Sequence, residues 1–299
     1  MNDGPIEKAK KLLEDSGQFR VLRRFSTDLR STKQLVEPLF AVVVDVETTG
    51  LDVDNDETIE LGMVKFEFDR AGAIGKTVGT FQSFRDPGQP IPRAITDLTG
   101  IRDVDVRGCE IDKRKVGDFL QGVVLVVAHN AAFDRPFCER LFSGFTELPW
   151  ACSATEIDWR SEGVSGSRLE YVAQAFGYFY DAHRSLDDCN AVLQILSLSF
   201  PKSNTLVFSA LLQSARQTRM RVYAEGAPYE RRAELKRAGF RWNDGQNGFP
   251  RAWWTEVTAE NLEPSLAELT ALCAPAKISP LVVPENSKSR FRRHQSAAK

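Results

Sequence analysis

Residues 41–50 read AVVVDVETTG. The unbroken apolar run at 41–44 has the character of a strand buried on both faces. Period two along a strand sets Asp45 and Glu47 on one face and turns Val46 to the other. Two carboxylates thus stand at the end of a rigid element, where they can share a cation. The arrangement recurs downstream. Residues 123–127, VVLVV, form a second apolar strand, and AHNAAFD leads off its end into a helix expected to begin near Asp134. In YDAHRSLDD (180–188), Asp188 opens an amphipathic helix running through Ala191, Val192, Ile195 and Leu196, with His183 five residues before it.

Four acids with no accompanying Cys or His ligand set suit a hard divalent cation, Mg²⁺ or Mn²⁺, better than Zn²⁺. Two such ions about 3.5–4 Å apart can clamp the attacking and leaving oxygens of a phosphodiester displacement. Imidazole, with an ordinary pKa of about 6.5, can take a proton from an attacking water at neutral pH. Each fragment also has a structural reading: Asp-x-Glu is common on surface strands, and Ser185, Asp187 or Asp188 could simply cap a helix. The combination is far more specific than any one fragment.

These motifs resemble the histidine branch (DEDDh) of the DEDD 3′–5′ exonuclease superfamily, which includes the proofreading subunit of bacterial replicative polymerase, ribonuclease T and oligoribonuclease. The resemblance spans residues 38–200 and includes PIPRAITDLTGI between the first two motifs. It implies a ribonuclease H-like α/β fold: a mixed five-stranded sheet flanked by helices. It further implies two Mg²⁺ ions, replaceable by Mn²⁺, held by Asp45, Glu47, Asp134 and Asp188, with His183 as general base. The family's five-residue spacing from the histidine selects Asp188, leaving Asp187 as a solvated or capping carboxylate. The sister branch carries a tyrosine four residues before its last acid; here that position is Arg184.

By the same resemblance, ETTGL holds the terminal nucleotide, with the hydroxyls of Thr48 and Thr49 exposed and Leu51 or Leu98 wedged beside the base. His129 and Asn130 are further substrate candidates, though Asn130 could equally anchor its loop, while Phe133 reads as core. The implied substrate is nucleic acid with a free 3′ end, single-stranded DNA in the first instance, releasing nucleoside 5′-monophosphates. A DNA polymerase or repair protein is the implied partner. A nucleic-acid-binding adaptor whose acidic site has lapsed is the alternative from another class, and the intact set of five residues argues against it.

Composition is that of a globular enzyme, with 42% hydrophobic residues in 299. There is no apolar run of about 18 residues and no apolar stretch near the start, so a cytoplasmic, non-membrane protein is expected. Five cysteines without CxxC spacing read as reduced thiols, Cys189 among them as buried filler. The formal net charge of −2 conceals a basic segment at 216–251, with nine Arg or Lys against four acids, and a basic tail at 285–299, with five against one. Such surfaces could offset an acidic catalytic body that must accept a polyanion.

The expected organisation is a helical extension at 1–37, the nuclease domain at 38–200 and a connecting helix at 201–219. A small α+β unit at 220–275 and a disordered Pro-, Ser- and Lys-rich tail at 276–299 follow. Within the small unit, Trp242, Trp253 and Trp254 bring three of five tryptophans into 13 positions, as expected for a mini-domain core. Arg231, Arg232, Lys236 and Arg237, on the helix before GFRW, are the accessory nucleic-acid contacts this pattern suggests.

Overall fold

The computed structural model describes residues 4–26, 35–245 and 248–293. In chain order the first elements are α1 (Gly4–Asp15), β1 (Arg23–Arg24), β2 (Leu39–Thr48), β3 (Thr58–Phe68) and β4 (Ile74–Phe84). The short helices α2 (Arg93–Thr99), α3 (Asp103–Val106) and α4 (Lys113–Leu120) lead to β5 (Val123–Ala128), α5 (Ala131–Leu141) and β6 (Trp150–Cys152). Then come α6 (Leu169–Ala175), β7 (Tyr178–Phe179), α7 (Ser185–Leu196) and α8 (Val207–Arg216). The accessory unit comprises β8 (Arg219–Ala224), α9 (Arg232–Arg237), β9 (Arg241–Trp242), β10 (Trp253–Thr258), α10 (Leu262–Cys273) and β11 (Leu281–Glu285). Among the described residues, no helix is long and apolar enough to cross a membrane.

The central sheet has the order β4-β3-β2-β5-β6. The β2–β3–β4 meander is antiparallel, and β5 and β6 continue the sheet in parallel, the mixed ribonuclease H-like arrangement expected. The alternation of β2 is visible in its packing. Ala41 and Val43 join the layer of α6, α7 and α8, whereas Val42, Val44 and Val46 join α4 and α5. Asp45 and Glu47 continue the first of these faces, toward α7.

Three sequence expectations are corrected. FRVLRRF was expected to be helical, but Arg23 and Arg24 pair in parallel with Tyr178 and Phe179. Phe25 is buried and stacks on Tyr178 at 4.5 Å, so an available strand edge and an aromatic partner outweigh local helix preference. The rest of the expected extension at 1–3 and 27–34 lies outside the described residues. The connecting helix exists as α8, yet Val207, Phe208 and Leu211 are fully buried in the nuclease core, with Phe208 edge-on to Phe68 at 5.2 Å.

The third correction concerns the tail, which is ordered over 276–293. Strand β11 covers the edge of β8, since LVVPE supplies apolar residues and free backbone groups to an otherwise open strand. Beyond it the chain crosses back to the nuclease: the Ser287 carbonyl accepts from Trp150 N at 2.7 Å. Arg135 donates to the carbonyls of Arg290 and Lys288 at 2.7 and 2.8 Å. Arg290, 2% exposed, pairs with buried Glu156 and donates to the Ala215 carbonyl at 2.8 Å. Residues 294–299 lie outside the described residues.

Candidate active site

Asp45, Glu47 and Asp188 come together, each offering a carboxylate oxygen within 4.8 Å of the others. Asp45 and Glu47 stand at the end of β2, where a bulge between Glu47 and Thr48 shifts the register against β3. Such irregularities re-aim side chains at strand ends. Asp188 lies in the first turn of α7, and the approach of that helix depends on one small residue. Gly62 pairs directly with Asp45 across the strands, and a Cβ there would stand 2.6 Å from the Ser185 backbone and hydroxyl. Any larger residue would push the N-terminus of α7, and Asp188 with it, off the sheet.

Asp134 lies in the first turn of α5, 2% exposed, with one oxygen 3.3 Å from Val46 N. It stands beside the group of three and not within it. Asp187 is exposed and also outside the group.

Asp188 is held by three donors: the Tyr180 hydroxyl at 3.0 Å, His183 N at 2.9 Å and Arg184 N at 3.0 Å. Its carboxylate thereby ties down the loop carrying His183. His183 itself adopts a left-handed backbone conformation, φ 70°, unusual for a residue with a Cβ and a form of strain that clusters at functional sites. Its half-buried ring makes no hydrogen bond among the described residues and is not part of the carboxylate group.

The sequence reading missed Glu60. It pairs directly with Glu47 across β2 and β3, is fully buried, and accepts from Gln82 at 2.8 Å, Arg184 at 3.0 Å and Ser185 N at 3.1 Å. Glu60 therefore anchors the start of α7 from the opposite strand. The available signal was a carboxylate between Ile59 and Leu61 in TIELGMV, where a strand buried on both faces has no solvent for a charge.

Burial dominates the electrostatics. It pushes Glu47 up to about 8, with Asp188 and Glu60 adding repulsion, and Asp134 up to about 7. Asp188 rises to about 6 despite the hydrogen bond from Tyr180, and Asp45 is raised well above the usual carboxylate range by burial and then by Asp134. Carboxylates buried this closely resist ionising together, and a bound cation removes the conflict. An all-oxygen donor set of this charge fits a divalent cation.

The predicted nucleotide-contacting residues divide. Leu51 and Leu98 are 85% and 52% exposed, unusual for leucine and suited to contact with a ligand. The hydroxyls of Thr48 and Thr49, expected to be exposed, are satisfied within the chain. Thr48 donates to the Gly50 carbonyl at 2.5 Å and Thr49 to Asp56 at 3.0 Å, so the loop uses them to hold its own shape. His129 is tied at both ring nitrogens, to Ser153 Oγ at 2.9 Å and the Ser167 carbonyl at 2.6 Å, and burial pushes it down to about 4. A neutral imidazole so held braces the end of β5. Asn130 is exposed and makes no side-chain capping bond to α5. Phe133 is half-buried against Phe137 at 5.1 Å.

Arg231 donates to the Ala274 carbonyl at 2.9 Å, while Arg232, Lys236 and Arg237 are exposed. None of the four adjoins the carboxylates.

The RNase_T exonuclease family model matches residues 42–196. The chain is 33% identical over 167 residues to a DNA polymerase III PolC-type of Clostridium perfringens, a match covering 54% of this chain and 11% of that polymerase. A PolC-type polymerase of Streptococcus suis is 43% identical over 99 residues, 32% of this chain and 6% of that protein. Among solved structures, exonuclease I aligns with TM-score 0.46 and 15% identity, over 65% of this chain and 50% of that one. The nuclease domain of 3′hExo, a DEDDh family member bound to rAMP, aligns with TM-score 0.41 and 17% identity, over 54% of this chain and 91% of that one. The matched segment contains all four acids and His183, and on that match the chain belongs to the DEDDh 3′–5′ exonuclease family.

Proposed function

We propose that the protein is a metal-dependent 3′–5′ exonuclease that removes nucleoside 5′-monophosphates from a nucleic-acid 3′ end. The convergence of Asp45, Glu47 and Asp188, with the His183 loop tied to Asp188 through its backbone N, carries this reading. Asp45, Glu47, Asp134 and Asp188 would hold two Mg²⁺, or Mn²⁺ in their place; when bound, these ions supply positive charge at the attacking and leaving oxygens of the phosphodiester. His183 accepts the proton of the attacking water, and Tyr180 and Glu60 keep Asp188 and the start of α7 in place. Exposed Leu51 and Leu98 border the terminal base.

Similarity to PolC-type polymerases favours a proofreading or repair setting on DNA, with a polymerase as partner. Matched single-stranded DNA and RNA, labelled at the 3′ or the 5′ end and incubated with Mg²⁺ or EDTA, test the reading. The expected result is immediate release of 3′ label as mononucleotide, stepwise shortening of 5′-labelled strands, and no reaction in EDTA. Endonucleolytic fragments, or activity undiminished by EDTA, would overturn it.

The electrostatics add a stability prediction. Glu47 and Asp134 hold protons in the folded protein up to about 8 and about 7, whereas unfolded carboxylates lose theirs at about 4. The folded state therefore binds more protons across this window, and the acids cost increasing stability as pH rises from about 4 to about 8. Mg²⁺ should raise the Tm distinctly at pH 8 and barely at pH 5. Asp45→Asn should raise the metal-free Tm at pH 8 by removing one of the competing charges. A Tm insensitive to Mg²⁺ at pH 8 would count against the metal site.

A further inference from the structure

Strands β11, β8, β10 and β9 form an antiparallel sheet with two unlike faces. Val222 and Ala224 lie on the face packed against Leu235 of α9 and Leu269 and Cys273 of α10, together with Trp253 and Val257. Of the three clustered tryptophans, then, Trp253 serves the core, while Trp242 is 51% exposed. Alternation puts Trp254 on the opposite face. There it is in register with Tyr223 on β8 and Arg241 on β9.

This second face looks toward the nuclease across a cavity of about 1270 Å³. The accessory wall includes Arg221, Arg241 and Trp254; the nuclease wall includes Leu51, Phe133 and Phe137. Leu51 follows the first acidic motif and Phe133 immediately precedes Asp134 in the chain, while Asp45, Glu47, Asp134, His183 and Asp188 do not themselves line the cavity. The strap at 290–293 lines it as well. Arg231, Arg232, Lys236 and Arg237 do not; they belong to the side of the sheet covered by α9.

We propose that this face is a binding site for single-stranded nucleic acid, holding the strand upstream of the 3′ end that enters the active site; the proposal rests on the exonuclease reading. Its chemistry is stacking more than charge. Half-buried Trp254 is the aromatic this face presents; fully buried Tyr223 supports it at 6.2 Å and stacks on Phe249 at 5.1 Å, and the Arg221 guanidinium lies 4.5 Å from the Trp254 centroid. The Arg241 guanidinium lies 4.2 Å from the Trp254 centroid and makes no ion pair among the described residues. It can stack on a base with its planar group or meet a phosphate.

The other arginines are largely neutralised. Arg221 pairs with Glu285 at 2.7 Å and Glu256 at 3.1 Å, Arg293 with Asp54 at 2.5 Å, and Arg290 with Glu156. A wall of this kind recognises bases without a steep electrostatic field. The cavity also exceeds the roughly 300–1,000 Å³ usual for small-ligand pockets, which favours an extended strand.

Because α8 and the strap are packed into the nuclease, substitutions isolate the site better than truncation. Affinity of the full chain for 5′-labelled DNA and RNA strands of about 16 and about 4 nucleotides, spanning the range of single-strand site sizes, is measured by fluorescence anisotropy in EDTA. Trp254→Ala should weaken the long strand's binding by about 10-fold or more, and Trp254→Phe should recover most of it. Arg241→Ala should lower the log–log salt slope by about 0.7, one single-strand phosphate contact. Ultraviolet crosslinking of halogenated strands to the unaltered protein should map to β9 or β10. A loss with either polymer supports the site.

Long-strand affinity and salt slope unchanged in all three variants, or crosslinks confined to the nuclease, would overturn it. Mg²⁺-dependent degradation of the short strand by the unaltered protein tests the underlying reading separately. Binding that depends on Trp254 without any degradation would sink the exonuclease and leave the site standing.

Discussion

Asp188→Ala should abolish turnover, whereas Asp187→Ala should retain most of it. The two acids are neighbours in sequence and unlike in position. Asp188 belongs to the carboxylate group with Asp45 and Glu47, and it receives hydrogen bonds from Tyr180, His183 N and Arg184 N. Asp187 is exposed on the outer side of the same helical turn. Losing a group that supports charge at the reacting centre costs about 10²–10³ or more in kcat, while a solvated neighbour contributes only a screened field. Asp188→Ala also releases the His183 loop, so Asp188→Asn, which retains an oxygen acceptor, separates the two contributions. It should lose activity nearly as completely while its Tm stays close to that of the parent. Steady-state rates on a short labelled strand, with melting curves for all three variants, provide the check. Equal losses at 187 and 188, or the reverse order, would refute the assignment.

What the sequence makes legible is what periodicity and spacing encode. The apolar runs at 41–44 and 123–127 predict two buried strands, and the positions of the acids at or beyond strand ends and at helix starts follow from them. The remainder depends on partners far away in the chain. Arg290 reads as one residue of a basic tail, yet it pairs with Glu156 and caps the carbonyls that end α8. Glu60 and Arg184 are 124 positions apart, and only the folded sheet makes them a pair beside the catalytic loop. Arg23 and Arg24 suggest a helix until β7 offers an edge. The accessory face is illegible for a related reason: three tryptophans within 13 positions are indistinguishable by composition, while strand alternation sends Trp253 to the core and Trp254 to the cavity.

His183→Ala should slow the chemical step by about 10²–10⁴, the usual range for removal of a general base, with Mg²⁺ binding little changed. The imidazole stands outside the carboxylate group, so on the proposed reading its loss should remove a proton acceptor and no ligand. Its backbone supplies a test that a purely structural role would fail. At φ 70° a residue with a Cβ incurs a cost of about 1–2 kcal/mol that glycine avoids. Glycine in turn gives up about 0.5–1 kcal/mol through its greater freedom when unfolded. His183→Gly should thus have a Tm equal to or above that of the parent and yet be as impaired as His183→Ala, because the hydrogen bond from the backbone N of residue 183 to Asp188 survives in both. Single-turnover rates, melting curves and calorimetric titration with Mg²⁺ distinguish the possibilities. Metal binding lost together with the imidazole would make His183 a ligand. A glycine variant that is active, or that melts well below the parent, would mean that the strained loop conformation serves the fold and not the reaction.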